Sequence, residues 1–396
     1  MKTSRLLVAA CATAPLLCLS TALATAAPTP MTSTGTQRIA GADRYATSAA
    51  VSAKSFTSPQ GAVFVASGQN FPDALAGGAA AAKQVGPLLL TSSSRLSGAT
   101  SNELKRLRPS KIYILGGTGA VSGATAVALN GIAPTQRIGG ADRYATAANT
   151  SKAIFTSAST VYIASGLGFA DALAGGPAAA KQAAPMLLTS ATSLPAATRA
   201  ELTRLQPTAV KILGGNGAVS SRVQSQIQAA VPSARITRYS GADRYATAAS
   251  VAKAVWPNGS RTVFYASGTS FPDGLSATPS AAVNKAPLLL TSKSCMPSPT
   301  ASASASLSPS LRVFVGGTGV VTTSGTVCGS TPVAPTPPPP PPTPPSPPSV
   351  DYDCGDFSTW PEAQAVFDRY YPAYGDVFRL DRDGDLIACE DLPGAP

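Results

Sequence analysis

The chain has 396 residues, 44% of them hydrophobic and 12% charged, with six cysteines, 36 prolines and no histidine. Its formal charge of +11 is uneven: residues 28–349 carry 25 basic and 8 acidic residues, whereas residues 350–396 carry 3 and 11. A basic body with an acidic tail is unlike a uniform soluble enzyme, and without histidine neither a Ser–His pair nor a histidine zinc site can form.

The N-terminus reads as a secretion signal over residues 1–26. Lys2 and Arg5 precede the apolar run Leu6–Leu19, and Ala24-Thr25-Ala26 supplies small residues for cleavage. That run is too short to span a bilayer and no later segment is long enough, so no transmembrane segment is expected. Export leaves Cys295, Cys328, Cys354 and Cys389. Four cysteines allow three pairings, of which sequence proximity favours Cys295–Cys328 and Cys354–Cys389.

Three copies of one pattern follow. RIAGADRYAT starts at Arg38, RIGGADRYAT at Arg137 and RYSGADRYAT at Arg238. About 25 residues later come VFVASGQNFPDALAGG, VYIASGLGFADALAGG and VFYASGTSFPDGLSAT, then PLLLT, PMLLT and PLLLT. Gly-rich turns close each copy, at Gly116-Gly117, Gly214-Gly215 and Gly316-Gly317. A unit of this length can bury a core of its own. In the first copy, strands are expected at 62–67, 87–91 and 111–115, and helices at 43–54, 72–85, 97–107 and 122–130. Strands apolar on both faces and separated by helices make a parallel sheet covered on both sides, in a small Rossmann- or flavodoxin-like α/β layer sandwich.

The third copy departs from the pattern. MPSPTASASASLSPSL replaces a Glu-bearing helix, so that helix is expected to be missing, with Cys295–Cys328 bracketing the weak stretch. Residues 331–349 contain 12 prolines. They make a semi-rigid spacer of roughly 55–60 Å if extended as polyproline.

All eight acids of the basic body occupy repeat-equivalent positions. Asp43, Asp142 and Asp243 stand where a helix starts and suit N-capping. Asp73, Asp171 and Asp273 fall in the first turn of the next helix and suit its positive end. Arg44, Arg143 and Arg244 follow the capping aspartates and are expected to join copy to copy through carboxylates. Structure outweighs catalysis as the reading of these carboxylates, because perturbed carboxylates are often structural. Ser67-Gly68, Ser165-Gly166, Ser267-Gly268 and the Gly-Gly turns lie at carboxyl ends of parallel strands, where free N–H groups favour anions. The bland alternative is that glycine only permits tight turns. Neither pattern is a dinucleotide fingerprint or P-loop, nor a G-x-S-x-G elbow.

These repeats closely resemble the cell wall binding repeat 2 family of Gram-positive surface proteins over about residues 36–330. The resemblance implies three modules, 36–134, 135–234 and a degenerate 235–330, packed in one monomeric chain as a pseudo-threefold trimer that binds an anionic wall polymer. Residues 350–396 resemble the Excalibur domain, on DYDCGDF from Asp351 and LDRDGDLIACE from Leu380. Asp381, Asp383 and Asp385 have the 1, 3, 5 spacing of a calcium loop, with Glu390 as a further ligand and Leu386 where glycine normally turns the chain. The resemblance implies a small disulfide-linked calcium-loop domain. The expected function is a secreted, non-enzymatic wall-binding protein at the cell surface. The alternatives are a wall hydrolase (amidase or peptidase) and a calcium-dependent adhesin or surface-layer component. Nucleic acid is not an expected partner, since basic–aromatic interleaving is lacking.

Overall fold

In the computed structural model, residues 25–323, 325–328, 352–383 and 386–395 are described. Most of the signal segment, the proline-rich segment and Asp385 lie outside them. The chain divides into two units, 1–329 and 330–396.

The first copy contributes β1 (Gly35–Ile39), α1 (Arg44–Ser55), β2 (Ala62–Ser67), α2 (Pro72–Lys83), β3 (Leu88–Thr91), α3 (Gly98–Leu107), β4 (Lys111–Leu115) and α4 (Gly123–Asn130). The second contributes β5 (Thr135–Ile138), α5 (Arg143–Ile154), β6 (Thr160–Ser165), α6 (Ala170–Lys181), β7 (Met186–Thr189), α7 (Ala196–Leu205), β8 (Ala209–Leu213) and α8 (Ser221–Ala230). The third contributes β9 (Arg235–Tyr239), α9 (Arg244–Val255), β10 (Thr262–Ser267), α10 (Pro272–Val283), β11 (Leu288–Thr291), α11 (Ser298–Leu307) and β12 (Leu311–Val315). All three sheets are parallel, and strands such as β2 are buried along their whole length because helices cover both faces.

Each sheet has four strands, and the fourth comes from another copy. The orders are β3-β2-β4-β5, β7-β6-β8-β9 and β1-β12-β10-β11. The strand that opens each copy therefore completes the preceding sheet, and β1 closes the ring by pairing with β12 across most of the chain. This modifies the expectation of self-contained cores: no copy completes its sheet without a neighbour.

The ring is filled by α2, α6 and α10, whose Ala- and Gly-rich sequences let the three backbones approach. A Cβ at Gly78 would lie 2.8 Å from Thr278 Cγ2, and one at Gly176 would lie 2.7 Å from Thr278 Oγ1. One threonine thus occupies a space shared by three equivalent positions, so Thr278 in place of glycine is axial packing. The neighbouring position shows a matched exchange. A Cβ at Gly77 would strike Leu115 and one at Gly175 would strike Leu213. The third copy has Ala277 there and the shorter Val315 at the end of β12, both fully buried.

The expected loss of the third helix in the third copy is wrong. Ser298–Leu307 is helical, with Pro299 in the first turn and the Thr300 hydroxyl donating to the Leu290 carbonyl at 2.6 Å, as Thr198 donates to Leu188. Pro suits a helix start and alanine has the highest helix propensity, so an Ala/Ser run is helical once one face is buried. The buried Leu104 and Leu202 of the other copies become Ser304, whose hydroxyl lies 2.6 Å from the buried Tyr265 hydroxyl. Tyr265 fills the space that leucine occupies elsewhere. What the third copy lacks among the described residues is a fourth helix after β12. Instead the Cys295–Cys328 disulfide, with hydrogen bonds from Met296 to Thr326 and from Cys328 to Met296, ties the following segment down.

In the second unit, a turn at Cys354–Asp356 precedes α12 (Trp360–Tyr374). Ala363, Phe367, Phe378, Leu380 and Ala388 form its small core, stapled by Cys354–Cys389.

Candidate functional site

Three equivalent pockets lie where one sheet hands the chain to the next. Their walls are the F-x-D start of α2, α6 or α10, the adjacent Gly-rich turn, and the GADRYAT segment that leaves the sheet edge. The cavities measure about 430, 660 and 230 Å³.

The GADRYAT segment is the crossover between sheets. Asp43, Asp142 and Asp243 accept the N–H of Ala46, Ala145 and Ala246 at 2.7 Å, capping α1, α5 and α9. Arg44, Arg143 and Arg244 donate to the carbonyls of Gly68, Gly166 and Gly268 at 2.5, 2.9 and 2.6 Å. Direct carboxylate pairing by these arginines is therefore not what joins the copies. Among the described residues, ion pairs within 4 Å are Glu103–Arg106 and Glu201–Arg204. The junction arginines act on aspartates across the gap through space: Arg143 on Asp73, Arg244 on Asp171 and Arg44 on Asp273.

Those three aspartates form the pocket floors. Each carboxylate sits against the glycine that opens the next turn, so a Cβ at Gly116, Gly214 or Gly316 would collide with it. The same glycines have φ of 95°, 94° and 117°, a second reason for glycine. Burial raises the carboxyl pKa of Asp73 and Asp171, partly offset by hydrogen bonds from Thr146 and Thr247 and by Arg143 and Arg244. Asp273 is pushed up to about 6 by burial, opposed by the Arg44 charge. Above the floors, Phe71, Phe169 and Phe271 meet at the axis with centroids 5.6–6.0 Å apart.

The two kinds of glycine turn differ in access. Ser67, Ser165 and Ser267 are buried, and their hydroxyls accept the N–H two residues on. The tyrosine of each DRYAT packs on the adjoining Gly68, Gly166 or Gly268, so these turns are covered. In contrast, Gly117, Gly215 and Gly317 line the pockets, and a Cβ at any of them would meet open space. Reading the sequence missed Arg38, Arg137 and Arg238, which reach from the strand supplied by the other copy and donate to the carbonyls of Gly316, Gly116 and Gly214. Their repetition at the head of each motif was the available signal.

In the C-terminal unit, Asp381 Oδ2 accepts the N–H of Leu386 at 2.9 Å, curling the loop, and Leu386 has φ +75°, the left-handed turn usually given to glycine. Asp381, Asp383 and Glu390 are described. Among the described residues no three His, Cys, Asp or Glu side chains gather closely enough to hold an ion.

A parallel α/β ring with repeated junction pockets is a tandem-repeat binding module. The model of the family described as "Cell wall binding domain 2 (CWB2)" matches residues 38–126, 137–224 and 238–325. The chain belongs to this family. It is 34% identical over 265 residues to N-acetylmuramoyl-L-alanine amidase LytC of Bacillus subtilis, covering 67% of this chain and 52% of that protein. It is 30% identical over 240 residues to the amidase enhancer of the same organism, covering 61% of this chain and 32% of that protein. The chain thus spans about half or less of these relatives, and the part that aligns is the binding repeats. Among solved structures it resembles Cwp6 from Clostridium difficile, with TM-score 0.67, 29% identity, and coverage of 73% of this chain and 46% of that one. Cwp8 from the same organism gives TM-score 0.65, 25% identity, and coverage of 72% and 50%. These relatives point to the cell wall or surface, and no described helix is long and apolar enough to cross a membrane.

Proposed function

We propose that this chain is a secreted, non-enzymatic protein that attaches to the cell wall by non-covalent contact with an anionic wall polymer. The observation carrying the reading is the threefold repetition of one pocket within one chain, each copy pairing an open Gly-rich turn with a helix N-terminus. A repeating polymer can engage such sites together, so weak contacts add through effective concentration. One chain supplies all four-stranded sheets of the ring, which supports a monomer with an intramolecular pseudo-trimer.

The C-terminal unit is the part presented beyond the wall contact, and Asp381, Asp383, Asp385 and Glu390 are its calcium ligands in this reading. The left-handed Leu386 and its hydrogen bond to Asp381 support a loop of that kind.

Cosedimentation with purified walls tests the attachment. Binding that falls with ionic strength and vanishes when the acidic polymers are extracted is the expected result. Binding that survives extraction rejects the polymer.

A further inference from the structure

The charge of the repeat unit is divided between its two ends. Helices run antiparallel to the strands they connect, so helix C-termini and strand starts share the end opposite the pockets. Phe71, Phe169 and Phe271 meet at the N-termini of α2, α6 and α10, and Thr278 meets Gly78 and Gly176 partway along them. The three copies therefore point the same way, and their three strand-start ends form one face.

That face is basic. Lys54, Lys152 and Lys253 lie in the last turns of α1, α5 and α9. Lys83 and Lys181 end α2 and α6, and Lys285 follows α10; all six lysines are exposed. Arg108, Arg235 and Arg261 are exposed where the chain approaches or enters β4, β9 and β10. The acids at this end are Glu103 and Glu201, both buried and each held by its own arginine.

The pocket end is different. All six aspartates of the repeats lie there, and Arg38, Arg44, Arg137, Arg143, Arg238 and Arg244 direct N–H groups at backbone carbonyls. Arg95, Arg199, Arg222 and Lys293 are the further cations of that end.

Stabilisation of helix C-termini by cations accounts for the lysines. It does not account for Arg235 and Arg261, or for the confinement of the aspartates to the other end. Nor does it explain why Lys54 sits one helix position beyond Lys152 and Lys253, and Lys285 two residues beyond Lys83 and Lys181. The charge keeps its end while its alignment column drifts, which serves a surface potential rather than a fixed contact.

We propose that this lysine-rich end, opposite the pockets, is the face that docks the anionic wall polymer as a linear polyanion. The inference rests on the wall-polymer reading and names the face. The pockets are then a separate contact with the same polymer, and one molecule presents two different wall contacts.

The test compares two triple variants of the full oxidised chain with the same loss of charge. One is K54Q/K152Q/K253Q; the other, at the pocket end, is R95Q/R222Q/K293Q. Binding to inorganic polyphosphate is followed against salt, with wall cosedimentation alongside. The lysine triple is expected to weaken polyphosphate binding about tenfold and lower the salt slope by ~3, while the pocket-end triple changes binding less than about twofold. K54R/K152R/K253R restores binding, which separates charge from damage to the fold. Equal losses from both triples overturn the inference, because net charge would then suffice. If walls retain the lysine triple as well as the unaltered chain, only this inference fails. If walls do not retain the unaltered chain, the wall-polymer reading itself fails.

Discussion

The pairing of Gly77 with Leu115, and of Ala277 with Val315, makes a quantitative forecast. A Cβ at Gly77 would fall roughly 1.5 Å inside normal carbon–carbon contact with Leu115 Cδ1. Leu115 is fully buried at the end of β4, followed by a glycine of positive φ, and has no room to retreat. Gly77→Ala is therefore expected to cost about 1–3 kcal/mol by overpacking, less about 1 kcal/mol returned by alanine's helix propensity. Leu115→Val alone removes one methylene and is expected to cost about 1 kcal/mol. Together they recreate the third copy's combination, so the double variant should be no less stable than Leu115→Val alone. Urea denaturation of the oxidised chain gives all three values, and the reverse pair A277G/V315L should be tolerated in the third copy. If the two changes simply add, the third copy's sequence is not a compensated repacking and the reasoning fails. Coupling of at least ~1 kcal/mol is what direct contact demands.

Three further outcomes are expected. Replacing Cys295 and Cys328 by serine frees a segment closed over 33 residues of sequence separation. It should lower stability by about 3–4 kcal/mol, read as a lower Tm, and an unchanged Tm removes any stabilising role for the bridge. Asp273 has a folded-state pKa raised to about 6 from 3.8, so the folded state holds its proton longer and this group's contribution falls as pH rises from about 4 to about 6. The loss is on the order of 3 kcal/mol, and Asp273→Asn should flatten that part of the stability–pH curve; an unaltered curve contradicts the assignment. Leu386→Gly should relieve a left-handed non-glycine residue, raise stability by about 1 kcal/mol, and tighten Ca²⁺ uptake by calorimetry. Absence of uptake at millimolar Ca²⁺ in both the variant and the parent chain rejects the calcium loop.

The elements themselves were legible because each is set by local chemistry. Strands over 62–67 and 111–115 match their expected bounds, since continuous apolar runs between turn signals leave little choice. The capping aspartates stand one residue before their helices, where an exposed side-chain oxygen meets an orphan N–H. The Ala/Ser helix of the third copy was misread because its missing glutamate and leucine looked like loss of helix signal. In the folded chain the Tyr265–Ser304 pair fills that site, an exchange visible only when residues some forty positions apart are adjacent.

The sequence by itself determined a repeated parallel α/β unit and carboxylates restricted to repeat positions, and it favoured, among three pairings, the two cysteine pairs the structure shows. Only the tertiary structure decided which sheet each opening strand joins, because an edge strand's apolar pattern is the same whichever neighbour pairs with it. It decided too that Thr278 is the single side chain the axis can hold between Gly78 and Gly176. And it placed the exposed lysines that end the helices away from the pockets, because residues close in sequence lie at opposite ends of a helix.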